Sequence, residues 1–512
     1  MNSFLKSIPV ILLIVLESFV YVSYSHDLFV AILPLVVIAI ITYLYSLNNP
    51  VNHTKAFRIR SYFNWMILGL SYASLYMGRY NLTVASAKFD EIGLMSKEAF
   101  GTIFGIGAVV YGVSFIVNGP LADKLGGKKT IIIATVGAAL SNIVLGYVTY
   151  TVMKNGESAN QLFWPFLFFY ALNMYFQSFG AVSIVKVNAA WFHIKERGVF
   201  GGIFGTLISL GIFLAFDLNG MILNETKTFV NGQPYYHIWW AFFAPAIVLI
   251  IFALLDVFVI KDRPSQAGFE DFDTGDATRY EDGAPKESTL QIYKRILSHP
   301  VILMMIAIEF CSGVLRNGIM HWGVHYAHNM KTVEVVNGVK KVVSIADADF
   351  FFQNWGLILM VAGITGGFFA GYISDKFFGS RRGPSAFFLY FGMFVGFVIM
   401  AFAVRYQWYD IVGFLAFFMS MCVIGVHGML SGTASMDFGG KDSAATVAGV
   451  IDGFVYLGTG FQSVTLGKIL ENAGSDPSRW NYWPIFLIPF TLIGLYFTWK
   501  IWNAFPESKK KA

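Results

Sequence analysis

Two arginines carry the most pointed chemistry in this chain. Arg79 lies within the stretch from Tyr62 to Lys88, Y-F-N-W-M-I-L-G-L-S-Y-A-S-L-Y-M-G-R-Y-N-L-T-V-A-S-A-K, and Arg316 within G-V-L-R-N-G-I-M-H-W. The first stretch is apolar over about the 20 residues that a bilayer core demands, and the second lies in a comparable run. A guanidinium does not shed its proton, so burial cannot neutralise it. Holding that charge at membrane depth costs several kcal/mol unless water or an anion meets it. A fixed cation there points to an anion pathway, and its planar fork of donors suits phosphate oxygens. Tyr72, Tyr76 and Tyr111 are candidates to add hydroxyls to such a ligand, with packing as the competing role. Glu309, His427, Asp452 and Gln177 are further polar residues inside apolar runs. Such groups usually face water or a partner, so each either lines a cavity or bonds between helices. Glu309 lies two helical turns before Arg316 on a similar face, within reach of it through water.

The elements that must position these residues are membrane helices. The chain has 512 residues, of which 56% are hydrophobic and only 13% charged. Soluble domains carry about 25% charged residues, so this is an all-α polytopic membrane protein. The net charge of +5 reflects Lys and Arg at helix ends and gives no reason to expect nucleic acid. Cys311 and Cys422 both fall in apolar runs and read as packing residues. No phosphate-cradling glycine loop, metal-ligand cluster or nucleophile–base pair is present at useful spacing, so no enzyme, cofactor or metal is expected. The G-x-G at Gly105–Gly107 lies inside a span, where glycine means packing.

Two apolar runs, about 4–24 and 28–47, precede the Arg79 segment. The first has Lys6 as a basic flank but no small-residue cleavage site, so a retained helix is favoured over a signal peptide. Further spans are predicted near 99–118, 130–152, 164–190, 199–219, 238–260, 301–326, 351–373, 384–404, 409–433, 445–469 and 483–503. This gives fourteen crossings, twelve core spans preceded by two extra ones. Lys55, Arg58 and Arg60, then Lys124, Lys128 and Lys129, Lys195 and Arg197, Lys376, Arg381 and Arg382, and Lys509 to Lys511 all fall on one side by parity. That side is expected to be the cytoplasm, with both termini there. The predicted organisation is an N-terminal hairpin and connector (1–60), a six-helix bundle (61–260), a solvated acidic linker (261–298), a second six-helix bundle (299–506) and a basic tail (507–512).

The two bundles echo each other. G-P-L-A-D-K-L-G-G-K-K runs from Gly119 to Lys129, and G-Y-I-S-D-K-F-F-G-S-R-R from Gly371 to Arg382; their aspartates, Asp123 and Asp375, are 252 residues apart. Arg79 and Arg316 are 237 apart, and Trp239 and Pro245 precede Trp483 and Pro489 by 244. Three landmarks in one order at nearly one offset indicate duplicated halves.

The Gly119–Lys129 stretch resembles the loop signature of the major facilitator superfamily, and Gly371–Arg382 its second-half copy. The resemblance implies two pseudo-symmetric six-helix bundles, with Gly119, Asp123, Lys128, Lys129, Asp375 and Arg381 in the conformational motif. Within that superfamily, Ser61 to Pro506 is similar to the organophosphate:phosphate antiporters. The carrying residues are Tyr72, Tyr76, Arg79 and Asn81, Tyr111-Gly112, W-F-H-I-K-E-R-G at Trp191–Gly198, Arg316 with Trp322 and Tyr326, and K-D-S-A-A-T-V-A-G at Lys441–Gly449. The resemblance implies that Arg79 and Arg316 grip a substrate phosphate, with Lys186 at a basic position of the glucose-6-phosphate type. Trp322, Tyr326 and His427 join the expected site. Phe115 and Ala190 stand where glycerol-phosphate-type members have lysine and histidine, which implies a different or bulkier organic group.

The expected activity is exchange of an organic phosphate ester for inorganic phosphate by a monomer in the cell (inner) membrane. One rival is a proton-coupled organic-anion symporter, with Glu309, Asp452 or His427 carrying the proton. A non-transporting phosphate-ester sensor on the same fold is the other.

Overall fold

Long apolar runs become long helices, several of them started by a polar cap. The computed structural model describes residues 26–193, 196–274, 289–336, 339–379, 381–430 and 444–503. The helices are α1 (His26–Leu47), α2 (Lys55–Glu91), α3 (Lys97–Leu125), α4 (Gly127–Asn155), α5 (Ala159–Trp191) and α6 (Arg197–Phe213), which runs through a π-helical turn (Leu214–Leu218) into α7 (Asn219–Thr226). After α8 (Trp240–Val259) and α9 (Thr289–Ile296) come α10 (Pro300–Asn329), α11 (Ile345–Ala348), α12 (Phe350–Gln353), α13 (Trp355–Phe378), α14 (Arg382–Arg405), α15 (Tyr409–His427), α16 (Ala444–Leu470), α17 (Pro477–Trp480) and α18 (Tyr482–Lys500). Two antiparallel hairpins, β1–β2 (Thr228–Val230, Gln233–Tyr235) and β3–β4 (Lys331–Val336, Val339–Ser344), follow α7 and α10. They mark one end of the molecule, called here the hairpin end; the lysine- and arginine-rich connectors mark the other, the basic end.

Caps fix where the chain turns back. Thr54 accepts the amide of Phe57 to start α2, Ser96 accepts that of Ala99 to start α3, and His299 with Pro300 starts α10. Each satisfies an amide that the first helical turn leaves without a partner. Eleven helices among the described residues are long and apolar enough to cross a membrane. The polar residues of α2 keep it out of that set, yet it is 37 residues long and buried along much of its length. The first apolar run, 4–24, lies outside the described residues.

Packing falls into two groups, α2 to α8 and α10 to α18. The extra helix α1 docks on the first group, against α6. Arg58 of α2 holds it there by donating to the carbonyls closing α1, at 2.6 Å from Tyr45 and 3.1 Å from Asn48. The groups meet along α3 and α16, where facing glycines bring backbones into near contact. A Cβ added at Gly101 would lie 2.3 Å from the Ser463 carbonyl, and one at Gly105 2.9 Å from that of Gly460. The Gly105–Gly107 motif is thus a packing device, as its position in a span predicts.

At the hairpin end, one face of α10 is hydrogen-bonded to α2 by three histidines. His321 pairs with Thr83 at 2.7 Å, His325 with Ser86 at 3.1 Å, and His328 with Glu91 at 2.9 Å. The linker is less featureless than its composition predicts. Its first residue, Lys261, exchanges hydrogen bonds with the Asn64 side chain. Its last part forms α9, whose Tyr293 donates to the Ile116 carbonyl and whose Ile296 is buried. Aromatic and aliphatic side chains at helical spacing give this short piece an apolar face to bury.

Outside the spans, Asp349 caps α12 by accepting the amides of Phe351 and Phe352. Burial, and then a hydrogen bond shared with Asp410, push its pKa up to about 6. A carboxyl raised above its ordinary value near 4 stabilises the fold below that value and loses the contribution as pH rises through about 6. Between pH 4 and 6.5, thermal unfolding in detergent should therefore show a loss of stability that Asp410→Asn reduces, with the variant gaining on the parent at pH 7.

Candidate functional site

Arg79 is fully buried midway along α2, and its side-chain hydrogen-bond partners among the described residues are all neutral. Its Nε donates to the Gln177 carbonyl oxygen on α5 at 2.8 Å. Nη1 donates to the Tyr456 hydroxyl on α16 at 3.1 Å, and Nη2 to the Tyr111 hydroxyl on α3 at 3.3 Å. The guanidinium lies 4.4 Å from the Tyr111 ring centre and 4.7 Å from that of Tyr76, so aromatic faces supply part of its solvation. Gln177 is held by Asn173, which in turn donates to the Gly78 carbonyl, and the Tyr170 hydroxyl donates to the Arg79 carbonyl. Backbone and side chain of Arg79 are thereby locked before any ligand arrives.

Arg316, on α10 in the other group, reaches the same place. It neighbours Tyr76, Tyr80 and Tyr456, all of which also neighbour Arg79. Its Nε is buried with no hydrogen-bond acceptor among the described residues. No ion pair among the described residues involves either arginine. Two permanent cations, one from each group, thus share a tyrosine cage without an ion-paired carboxylate among the described residues. In a low-dielectric interior that arrangement is costly until an anion enters.

Of the other residues expected here, Tyr72, Tyr76 and Tyr111 join the cluster, the first two stacked edge to face at 5.4 Å. Glu309 forms no ion pair with Arg316 among the described residues. It is fully buried and accepts from His427 Nδ1 at 2.9 Å, leaving its Oε1 without a partner among the described residues. His427 is 24% exposed, with Arg316 and Asp452 as its charged neighbours, so the pair stands at the edge of the arginine cluster. Asp452 is half-buried on α16.

Trp322 and Tyr326 stand apart from the arginines. They lie 6 and 10 residues past Arg316, roughly 9 and 15 Å further along α10. Trp322 is fully buried, packs on Phe100 and donates to Gln462. Tyr326 packs on Trp480 and Trp483. Both seal the hairpin end, because helix length carries them away from the arginines. Lys186 is exposed, near the basic end of α5.

In the conformational motif, the Lys128 amide donates to Asp262 and its Nζ to the Val257 carbonyl, while Lys129 is exposed. Arg381 Nε donates to the Phe378 carbonyl. Gly119 and the side chains of Asp123 and Asp375 lie outside the described set, as does most of Lys441–Gly449. Sequence reasoning missed Tyr456 and Tyr80, since tyrosines are frequent in these helices and nothing local separates these two. The three α10 histidines were legible as i, i+4, i+7 on one helix face.

This pair of bundles defines the class. The chain belongs to the Major Facilitator Superfamily, whose family model matches residues 59–463, and it is a multi-pass membrane protein of transporter type, not an enzyme. Within the superfamily it is similar to the glycerol-3-phosphate transporter of Bacillus subtilis (strain 168), at 25% identity over 85% of this chain and 90% of that one. A probable hexose phosphate transport protein of Chlamydia trachomatis is 23% identical over 89% of this chain and 93% of its own length. The membrane sensor protein UhpC of Salmonella typhimurium is 23% identical over 78% and 84%. These relatives bear out the resemblance to the organophosphate:phosphate antiporters. Among solved structures, a bacterial homologue of the human lysosomal transporter Spinster, inward-facing and unoccupied, matches in fold with a TM-score of 0.65 at 15% identity, covering 88% of this chain and 98% of that one.

Proposed function

We propose that this protein exchanges an organic phosphate ester of the sugar-phosphate or glycerol-phosphate type for inorganic phosphate. The observation that carries the reading is the pair of arginines, Arg79 buried and Arg316 half-buried, on one tyrosine cage with no ion-paired carboxylate among the described residues. Arg79 and Arg316 bind the phosphate oxygens, and Tyr72, Tyr76, Tyr111 and Tyr456 orient them. Lys186 is assigned to the path toward the basic end. The chain crosses the inner membrane fourteen times as a monomer, with the basic end and both termini cytoplasmic. Bundles 61–260 and 299–506 rock about the central site, and the Gly119–Lys129 and Gly371–Arg382 motifs steady the cytoplasmic side.

Closing the site empty would bury two repelling cations, whereas a bound phosphate dianion cancels them. Only the loaded carrier crosses quickly, and obligatory exchange follows. The test is counterflow in proteoliposomes. Internal phosphate should drive uptake of labelled glycerol 3-phosphate or hexose 6-phosphate with no pH gradient, and vesicles without internal phosphate should take up little. Strict dependence on a pH gradient would instead favour symport, a reading that the Glu309–His427 pair beside Arg316 supports. Binding without counterflow would favour a sensor, the function in the name of one relative.

A further inference from the structure

Two carboxylates tie the groups together across the hairpin end, each capping a helix of the opposite group. Asp217, in the π-helical turn after α6, is buried and accepts the amides of Gly356 at 2.7 Å and Leu357 at 2.9 Å. These are the second and third residues of α13. Glu471, just after α16, accepts the amide of Glu98 at 2.5 Å, the second residue of α3. One cap is supplied by the first group to the second, the other by the second to the first.

The match extends to the repeat. Asp217 and Glu471 are 254 residues apart, and the second-residue amides that they cap, Gly356 and Glu98, are 258 apart. Both offsets lie close to the 252 that separates the duplicated aspartates at the basic end. The two contacts thus occupy equivalent places in the two halves. Gly356 is shaped for this approach, since a Cβ there would lie 2.9 Å from Asp217 Oδ1. Helix amino ends carry a partial positive charge and unpaired donors, so an ionised carboxylate is a strong partner for them.

We propose that Asp217 and Glu471 form a reciprocal latch that holds the hairpin end shut and biases the ligand-free protein toward access from the basic end. Rocking the bundles to open the hairpin end separates both carboxylates from their helix ends. It also breaks the three histidine bonds between α2 and α10. The latch needs no ligand, and so stands apart from the exchange reading.

The test uses the full chain in liposomes without substrate, with spin labels on Ser158→Cys and Ser475→Cys, both exposed at the hairpin end on opposite groups. Cys311 and Cys422 are buried and need not be replaced. Pulsed dipolar spectroscopy should give one dominant short separation in the parent. Asp217→Ala should add a longer one, raising the open-to-closed ratio roughly tenfold, the loss of a strong cap. Glu471→Ala, whose contact is solvent-exposed, should raise it about threefold, and the double variant by about the product. If Asp217→Ala does not fold, Gly356→Val serves, because its side chain drives the carboxylate off. An unchanged distribution in a folded Asp217 or Gly356 variant, or in Glu471→Ala, overturns the reciprocal latch, whatever the transport assay reports.

Discussion

Arg79→Lys and Arg316→Lys are each expected to lower phosphate-ester exchange by at least about a hundredfold while leaving the protein folded in the membrane. A lysine keeps the charge but loses the planar fork that grips two phosphate oxygens at once. It also cannot serve Gln177, Tyr111 and Tyr456 together, which Arg79 does from three different nitrogens. Losing a two-point, charge-assisted contact costs about 3 kcal/mol, which sets the factor. The alanine variants separate function from structure. If the arginines served the fold, Arg316→Ala would lower the unfolding temperature. As cations in the interior without an ion pair among the described residues they strain it, so Arg316→Ala should raise the unfolding temperature in detergent. Arg316→Ala should also relax the demand for internal phosphate, since one cation fewer makes the empty site easier to close. Full exchange activity in both lysine variants would remove the phosphate reading and leave only the fold.

The second large effect concerns Glu309 and His427. His427→Ala leaves a fully buried carboxylate whose other oxygen already lacks a partner, and should cost about 3–5 kcal/mol in stability. Glu309→Met with His427→Leu removes both polar ends and should recover most of that loss. Thermal unfolding of the single and double variants reads this directly, and additive losses would show that the two do not form a unit. Glu309→Gln adds a functional readout. Exchange driven by internal phosphate should survive it, whereas uptake that needs a pH gradient would not.

How much of this was legible beforehand follows from range. Apolar runs and basic connectors announced the long helices, because a bilayer leaves the backbone few other options. Arg79 and Arg316 were legible because a permanent charge in such a run has few innocent explanations. Their company was legible only in part, through Tyr76, Tyr111 and Gln177. Tyr456 lies 377 residues from Arg79 and is one of 25 tyrosines, so only the meeting of the two groups singles it out. Glu309 shows the limit of helical periodicity: the face it shares with Arg316 was right, but a histidine from another helix claimed it first. Trp322 and Tyr326 were drawn into the site by a shared motif, which carries no information on their distance along the axis. Asp217 could have been flagged as an acid in an apolar run, but its partner amides belong to a helix more than a hundred residues onward.

The docking of α1 has a consequence for how the molecule moves in its lipid. Arg58 and the buried face of α1 fasten this helix to the first bundle alone. That bundle therefore presents a broader keel to the surrounding acyl chains than its twin. If the two rock against each other as proposed, viscous drag and lipid contact would fall unequally, and the second bundle, without this added helix, would swing through the larger angle. Arg316 would then travel to the ligand, while Arg79 waits for it.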